Sequence, residues 1–180
     1  MPLLQTSPTS ISGLHVIQRQ KLGDERGYLS RVFCEQELEP LGWGGNISQV
    51  NYTKTQSKGT VRGMHYQLPP HEEIKIVSCM KGKIFDVALD LRQNSPTYLK
   101  WEGRILSEEN MQSYFIPKGV AHGFQTLSDN CEILYLHDEP YRPESESAVN
   151  ALDPAFNIDW PTNITLLSER DKNHPFLGKI

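Results

Sequence analysis

The segment Ile84-Phe85-Asp86-Val87-Ala88-Leu89-Asp90-Leu91 constrains the fold more than any other stretch of the chain. Its large apolar residues recur with period two, so Phe85, Val87, Leu89 and Leu91 face one way and Asp86 and Asp90 the other. That is the pattern of a β-strand. The stretches 74–79, 98–105, 112–116 and 131–137 read the same way, and Lys81-Gly82-Lys83 is a compact turn between two of these strands. The 13 glycines and 12 prolines are scattered, so turns punctuate the whole length. Many short strands at fairly even spacing predict a sandwich or barrel. Helix is scarce: 35–41 is long enough for two turns, 107–110 for one, and Ser168 is placed to cap a short helix near the C-terminus. The expected fold is all-β, a double-sheet jelly roll with short C-terminal helices, whose interior can hold a polar-lined ligand cavity.

The 180 residues are read as one domain spanning 1–180, large enough to bury about two-thirds of its unfolded surface. No apolar run approaches the ~20 residues a bilayer crossing needs, so no membrane association is expected. The opening residues have neither a basic region nor a hydrophobic stretch, so no signal peptide is expected. A net charge of −4 and a pI near 5.9 argue against nucleic acid as a partner. An anionic ligand would have to be held by a local cluster of Arg, Lys and His. Cys34, Cys79 and Cys131 are odd in number and form no Cys-x-x-Cys pair, which predicts free thiols and a reducing cytoplasm. The glycosylation triplets at Asn46, Asn51 and Asn163 are then chance matches.

Chemistry concentrates in two places. Thr60-Val61-Arg62-Gly63-Met64-His65-Tyr66-Gln67 puts an arginine and a histidine in one strand-like segment, with Lys75 in the next. His122 arrives later, in Pro117-Lys118-Gly119-Val120-Ala121-His122-Gly123-Phe124. Together they supply a base, cationic groups and a hydrogen-bond donor, with no nucleophilic serine or thiol at the centre. Such a set suits proton abstraction beside a carbonyl on an anionic substrate. Each residue also has a plainer reading. His65 fits a packed strand histidine, Tyr135 a core aromatic and Lys75 a surface lysine, while Asp171 in Ser168-Glu169-Arg170-Asp171 fits a capping box. The residues alone leave both readings open.

The Pro-x-Gly-x-x-His spacing ending at His122 resembles the second half of the cupin signature. Metal-binding cupins carry His-x-His in the first half; here that place reads His65-Tyr66-Gln67, and an amide binds divalent metals poorly. His71 and Glu72 fall beyond Pro69-Pro70, on a loop. No metal is expected. The run of Gly23-Asp24-Glu25-Arg26-Gly27, Gln49-Val50-Asn51, Gly59 to His65, Phe85 to Arg92, Ser95-Pro96-Thr97, Ile116 to Phe124 and Ile158-Asp159-Trp160-Pro161, in that order, resembles the dTDP-4-dehydrorhamnose 3,5-epimerase family over nearly the whole chain.

That resemblance implies a cofactor-free, homodimeric cupin acting on nucleotide-linked 4-keto-6-deoxy sugars in cell-surface or secondary-metabolite sugar synthesis. It implies His65 as base, Asp171 as the carboxylate that fixes its tautomer, Tyr135 as acid on the opposite face, and Lys75 as the cation beside an enolate oxygen. It further implies substrate-binding roles for Arg62 and His122, and for Arg26, Gln49, Asn51, Glu146 and Arg170. The chain departs from the family where a phenylalanine and a glutamate reach across the dimer to thymine: Leu22 and Arg31 stand there, with Pro140-Tyr141 in place of an aromatic pair. An arginine only donates, whereas the N3–H of thymine needs an acceptor. With Arg31 at the base, a CDP-linked sugar is the alternative, since cytosine N3 accepts. A metal-dependent cupin and a non-catalytic sugar-nucleotide binder are the other rivals. The absence of a Gly-x-Gly-x-x-Gly turn agrees with chemistry that oxidises nothing.

Overall fold

The computed structural model describes residues 2–179. Its strands run in chain order as β1 (Leu4–Pro8), β2 (His15–Arg19), β3 (Lys21–Asp24), β4 (Gly27–Ser30), β5 (Gln49–Thr55), β6 (Thr60–Gln67) and β7 (Lys75–Lys81). They continue as β8 (Lys83–Asp90), β9 (Trp101–Ser107), β10 (Gln112–Ile116), β11 (Val120–Thr126), β12 (Cys131–His137), β13 (Glu146–Ala148) and β14 (Leu166–Leu167). Two short helices, α1 (Glu35–Leu38) and α2 (Glu169–Lys172), complete the framework together with single 3₁₀ turns.

The order β1-β2-β10-β7-β12-β5 makes one sheet and β13-β6-β11-β8-β9 the other, with β14 added parallel to β6. Strands distant in sequence lie side by side, β2 against β10 and β6 against β11, as the crossovers of a jelly roll require. The hairpin β3–β4 stands apart as its own two-stranded sheet.

Three apolar clusters explain the layering. Val16, Val77, Tyr114 and Ile133 of the first sheet meet Ile84, Ala88, Leu106 and Phe124 of the second between the layers. The outer face of the first sheet, with Ile17, Ile76, Phe115 and Leu136, is covered by Leu38 of α1 and by Trp43. The outer face of the second, with Val61, Val87 and Leu89, is covered by the C-terminal segment through Val149, Phe156 and Leu167. Burying large apolar side chains of this kind contributes roughly 1.5–3 kcal/mol each.

Both faces of β8 are therefore buried. Phe85, Val87 and Leu89 meet the C-terminal segment, and the face carrying Asp86 and Asp90 turns inward, where both acids are 0% exposed. The alternation separated the faces but gave no sign that the acidic one is internal. Strands β10 and β12 occupy the residues their pattern predicts, whereas β9 starts at Trp101, later than the stretch 98–105 suggests. Asp90 explains the delay. Its carboxylate accepts from the Ser95 and Thr97 hydroxyls at 2.5 and 2.6 Å, holding a tight turn that leaves Leu99 at φ 63°. The stretch 107–110 forms a reverse turn where one helical turn was expected, because the Asn110 side chain accepts from the Ser107 and Gln112 N–H groups. The stretch 35–41 does make two turns, α1 followed by a 3₁₀ turn.

Strands β6 and β11 approach each other unusually closely. Gly63 lies at φ 141°, and a Cβ there would sit 2.5 Å from the Gly123 Cα. Two facing glycines let the backbones nearly touch, and the register shifts between His122 and Phe124.

Candidate active site

A cavity of about 520 Å³ opens between the sheets, within the range of small-ligand sites. Strand β6 brings Arg62 and His65 to its wall and β11 brings His122, with His65 and His122 directly opposite in register. From the facing sheet come Asn51 on β5, Lys75 on β7 and Tyr135 on β12. Glu146 on β13 and Arg170 and Asp171 on α2 close the rim, where Arg170 pairs with Glu146 at 3.1 Å.

Three candidates lie outside this cavity. The Gln49 side-chain oxygen accepts from the Tyr141 N–H. Arg26, at the turn of the β3–β4 hairpin, has 89% of its side chain exposed and pairs with Asp24. Arg31 pairs with Glu37 of α1. Neither Arg26, at the turn of the separate hairpin, nor Arg31, just after it, lines the cavity of its own chain.

The competing readings of Asp171 prove compatible. Ser168 caps α2 by accepting the Asp171 backbone N–H at 3.0 Å, and the carboxylate stays free to meet His65 Nε2 at 2.9 Å. Burial alone would raise the Asp171 pKa. The hydrogen bond and charge of His65, the Gly63 N–H and the charge of His174 outweigh it and hold the carboxyl down at about 2. An ionised carboxylate only accepts, so His65 donates through Nε2–H and keeps its lone pair on Nδ1. His174 reaches the same oxygen through Nε2 at 3.2 Å, its ring edge-on to His65. These three residues bring ligand atoms close enough for a metal ion. In the arrangement present, however, both imidazoles spend Nε2 on hydrogen bonds to Asp171.

Tyr135 approaches from the opposite sheet, and burial followed by the nearby charge of Asp86 pushes its phenol well above the ordinary range. It therefore keeps its proton at any working pH. His122 Nε2 bonds Asp86 Oδ2 at 2.8 Å, while Asp86 Oδ1 is buried without a partner among the described residues. Burial raises the Asp86 pKa, and His122 offsets this only in part.

Gln67, at the position where a metal-binding cupin carries its second histidine, uses its amide on backbone. It donates to the His71 carbonyl at 2.9 Å and accepts from the Arg142 N–H at 2.7 Å, pinning two loops at the cavity edge. Sequence reasoning missed Asp86, Glu73, His137 and His174. Asp86 was visible as an acid within the apolar alternation of its strand. Glu73 stood two residues before Lys75, and His137 two after Tyr135, at the spacing that shares a strand face.

The family model described as dTDP-4-dehydrorhamnose 3,5-epimerase matches residues 8–179. A dTDP-4-dehydrorhamnose 3,5-epimerase of Sinorhizobium fredii is 41% identical over 172 residues, covering 95% of this chain and 88% of that protein. A dTDP-4-dehydrorhamnose 3-epimerase of Streptomyces niveus is 36% identical, covering 98% and 85%. The crystal structure of a dTDP-6-deoxy-D-glucose-3,5-epimerase from Legionella pneumophila, in complex with dTDP-4-keto-L-rhamnose, superposes with a TM-score of 0.91 at 40% identity, covering 97% of this chain and 93% of that one.

Proposed function

Because the chain belongs to the dTDP-4-dehydrorhamnose 3,5-epimerase family, we propose that its cavity inverts a carbon flanking the C4 ketone of a dTDP-linked 4-keto-6-deoxy sugar. The protein is an isomerase, and the ketone is what makes its reaction possible, since it acidifies the neighbouring C–H. His65 Nδ1 takes that proton, and the C–H electron pair moves into an enolate whose oxygen faces Lys75. Asp171 holds the resulting imidazolium. Tyr135 delivers its phenolic proton to the opposite face of the same carbon, and solvent restores the phenol and removes the proton from His65. The step moves protons and no net electrons, so its chemistry calls for no redox cofactor.

The observation that carries this reading is that His65 and Tyr135 line one cavity from opposing sheets, the arrangement inversion needs. Arg62, His122, Asn51, Glu146 and Arg170 supply the donors and charge for the remainder of the substrate. The β3–β4 hairpin, with Leu22, Tyr28 and Leu29 half exposed or more, and the edge strand β5, with Val50 and Tyr52 exposed, support docking of a second copy as a homodimer. Such docking is the route by which Arg26 and Arg31 would meet the nucleotide of a partner's cavity. Among the described residues no helix is long and apolar enough to cross a membrane, and all three cysteines are free, which supports a reducing compartment such as the cytoplasm.

Incubation with dTDP- and CDP-linked 4-keto-6-deoxyglucose in D₂O, read by NMR, tests the reaction. Deuterium at C3, C5 or both with the dTDP sugar is the expected result and names the carbons inverted. Exchange with the CDP sugar alone would transfer the chemistry to the other nucleotide, and no exchange with either would remove the reading.

A further inference from the structure

Lys75 and His137 stand directly opposite each other on β7 and β12, two basic side chains in a cross-strand pair. Glu73 lies between them. Its Oε1 is 2.7 Å from Lys75 Nζ and its Oε2 is 2.8 Å from His137 Nδ1, and all three residues line the cavity. Lys75 and Glu73 side chains are only 7% and 10% exposed. Burial would raise the Glu73 pKa, but the His137 hydrogen bond and the charges of Lys75 and His137 outweigh it and hold the carboxyl at about 2. Glu73 is therefore an anion, so His137 donates to it through Nδ1–H. The other ring nitrogen, Nε2, is buried and finds no partner among the described residues. His137 thus makes a single side-chain hydrogen bond, and that bond orients Glu73.

From this geometry we infer that Glu73 and His137 are positioning residues that fix where the Lys75 ammonium sits. The inference rests on the epimerase reading, in which Lys75 faces the enolate oxygen. A free lysine spreads over many rotamers, whereas a donor held in place needs no reorganisation as charge develops. Glu73 also weakens the field of Lys75, because it neutralises it. The arrangement gives up cation strength for cation placement, and the two contributions predict opposite signs for one substitution.

Glu73→Gln offers one acceptor to two donors and removes the charge. If placement governs the reaction, kcat for deuterium wash-in falls about ten- to hundredfold, with KM changed by less than about threefold. In a Lys75→Met background the same substitution changes kcat by less than about twofold, because its effect passes through the ammonium. Circular dichroism and thermal melting establish that each variant is folded, and wash-in accumulates with time, so slow variants stay measurable. Should Glu73→Gln fail to fold, His137→Gln takes its place, with a smaller loss of kcat that also vanishes in Lys75→Met. A folded Glu73→Gln enzyme as fast as wild type or faster, or equal losses in both backgrounds, would overturn the assignment. Absence of exchange in the wild type would remove the epimerase reading first and this inference with it, before any substitution is made.

Discussion

His65 Nε2 lies 2.9 Å from Asp171 Oδ1, a contact that ties β6 to the C-terminal helix across 106 residues of chain. The helix is too short to be stable alone. Its place is fixed by the Ser168 cap, by the Asn150 side chain donating to the Lys172 carbonyl at 3.0 Å, and by this contact. The base proposed for the reaction is thereby oriented by the segment that also covers the outer face of its own sheet.

Asp171→Asn retains an oxygen acceptor but loses the charge that stabilises the imidazolium. It should lower kcat by about a hundredfold or more and change KM little. Because the carboxyl is held at about 2, Asp171 should contribute no acid limb to the wild-type pH profile between pH 4 and 9. Steady-state kinetics of wild type and variant between pH 4 and 9 check both statements; a variant within threefold of wild type would exclude the pairing.

His65→Ala should abolish deuterium wash-in from D₂O, since it removes the group proposed to take the first proton. Tyr135→Phe should leave wash-in and slow net inversion, because the acid acts after the enolate has formed. The two substitutions therefore separate in one NMR experiment. Equal loss of exchange in both would mean that Tyr135 also takes part in the first step.

Gly63→Ala should destabilise the fold by about 1–3 kcal/mol, through a positive φ and a Cβ pressed onto Gly123. Activity should fall further than stability, because the same contact sets His65 opposite His122. Calorimetric melting together with turnover at a temperature where the variant is folded tests this; an unchanged Tm would refute the close-approach argument.

Acid should destabilise the protein in a definite window. Glu73, Asp90 and Asp171 are each held at about 2, below their ordinary values of 4.5, 3.8 and 3.8. The unfolded chain binds their protons first, so their contribution is complete above about pH 5 and is lost as pH falls toward 2, at most roughly 2.5 kcal/mol for each aspartate and roughly 3.5 kcal/mol for the glutamate. Asp86 acts in the opposite sense: its pKa is raised, so its contribution is greatest in acid and declines as pH rises. Urea midpoints should hold or rise from pH 7 to 5 and then fall from pH 5 through 4 to 3. Asp90→Asn should flatten the slope without involving the cavity wall.

Strand positions were legible because period two and turn chemistry are local properties, and β10 and β12 occupy the stretches that pattern predicts. The motif residues His65, His122 and Lys75 were legible too, since their spacing is written in contiguous segments. Local pattern failed where a side chain reached beyond its neighbours, as when Asp90 recruited Ser95 and Thr97 and delayed β9.

The sequence by itself determined which residues share a strand face and which side chains carry chemistry. Only the tertiary structure decided what covers each face: that Asp86 is internal, that Glu73 and His137 close on Lys75, that Asp171 reaches His65, and that Arg26 and Arg31 stand away from the cavity of their own chain. The reason is physical. Alternation follows from the geometry of one strand, whereas burial and ion pairing depend on which distant strand or helix arrives opposite, and that is set by packing between the two sheets and the segments that cover them.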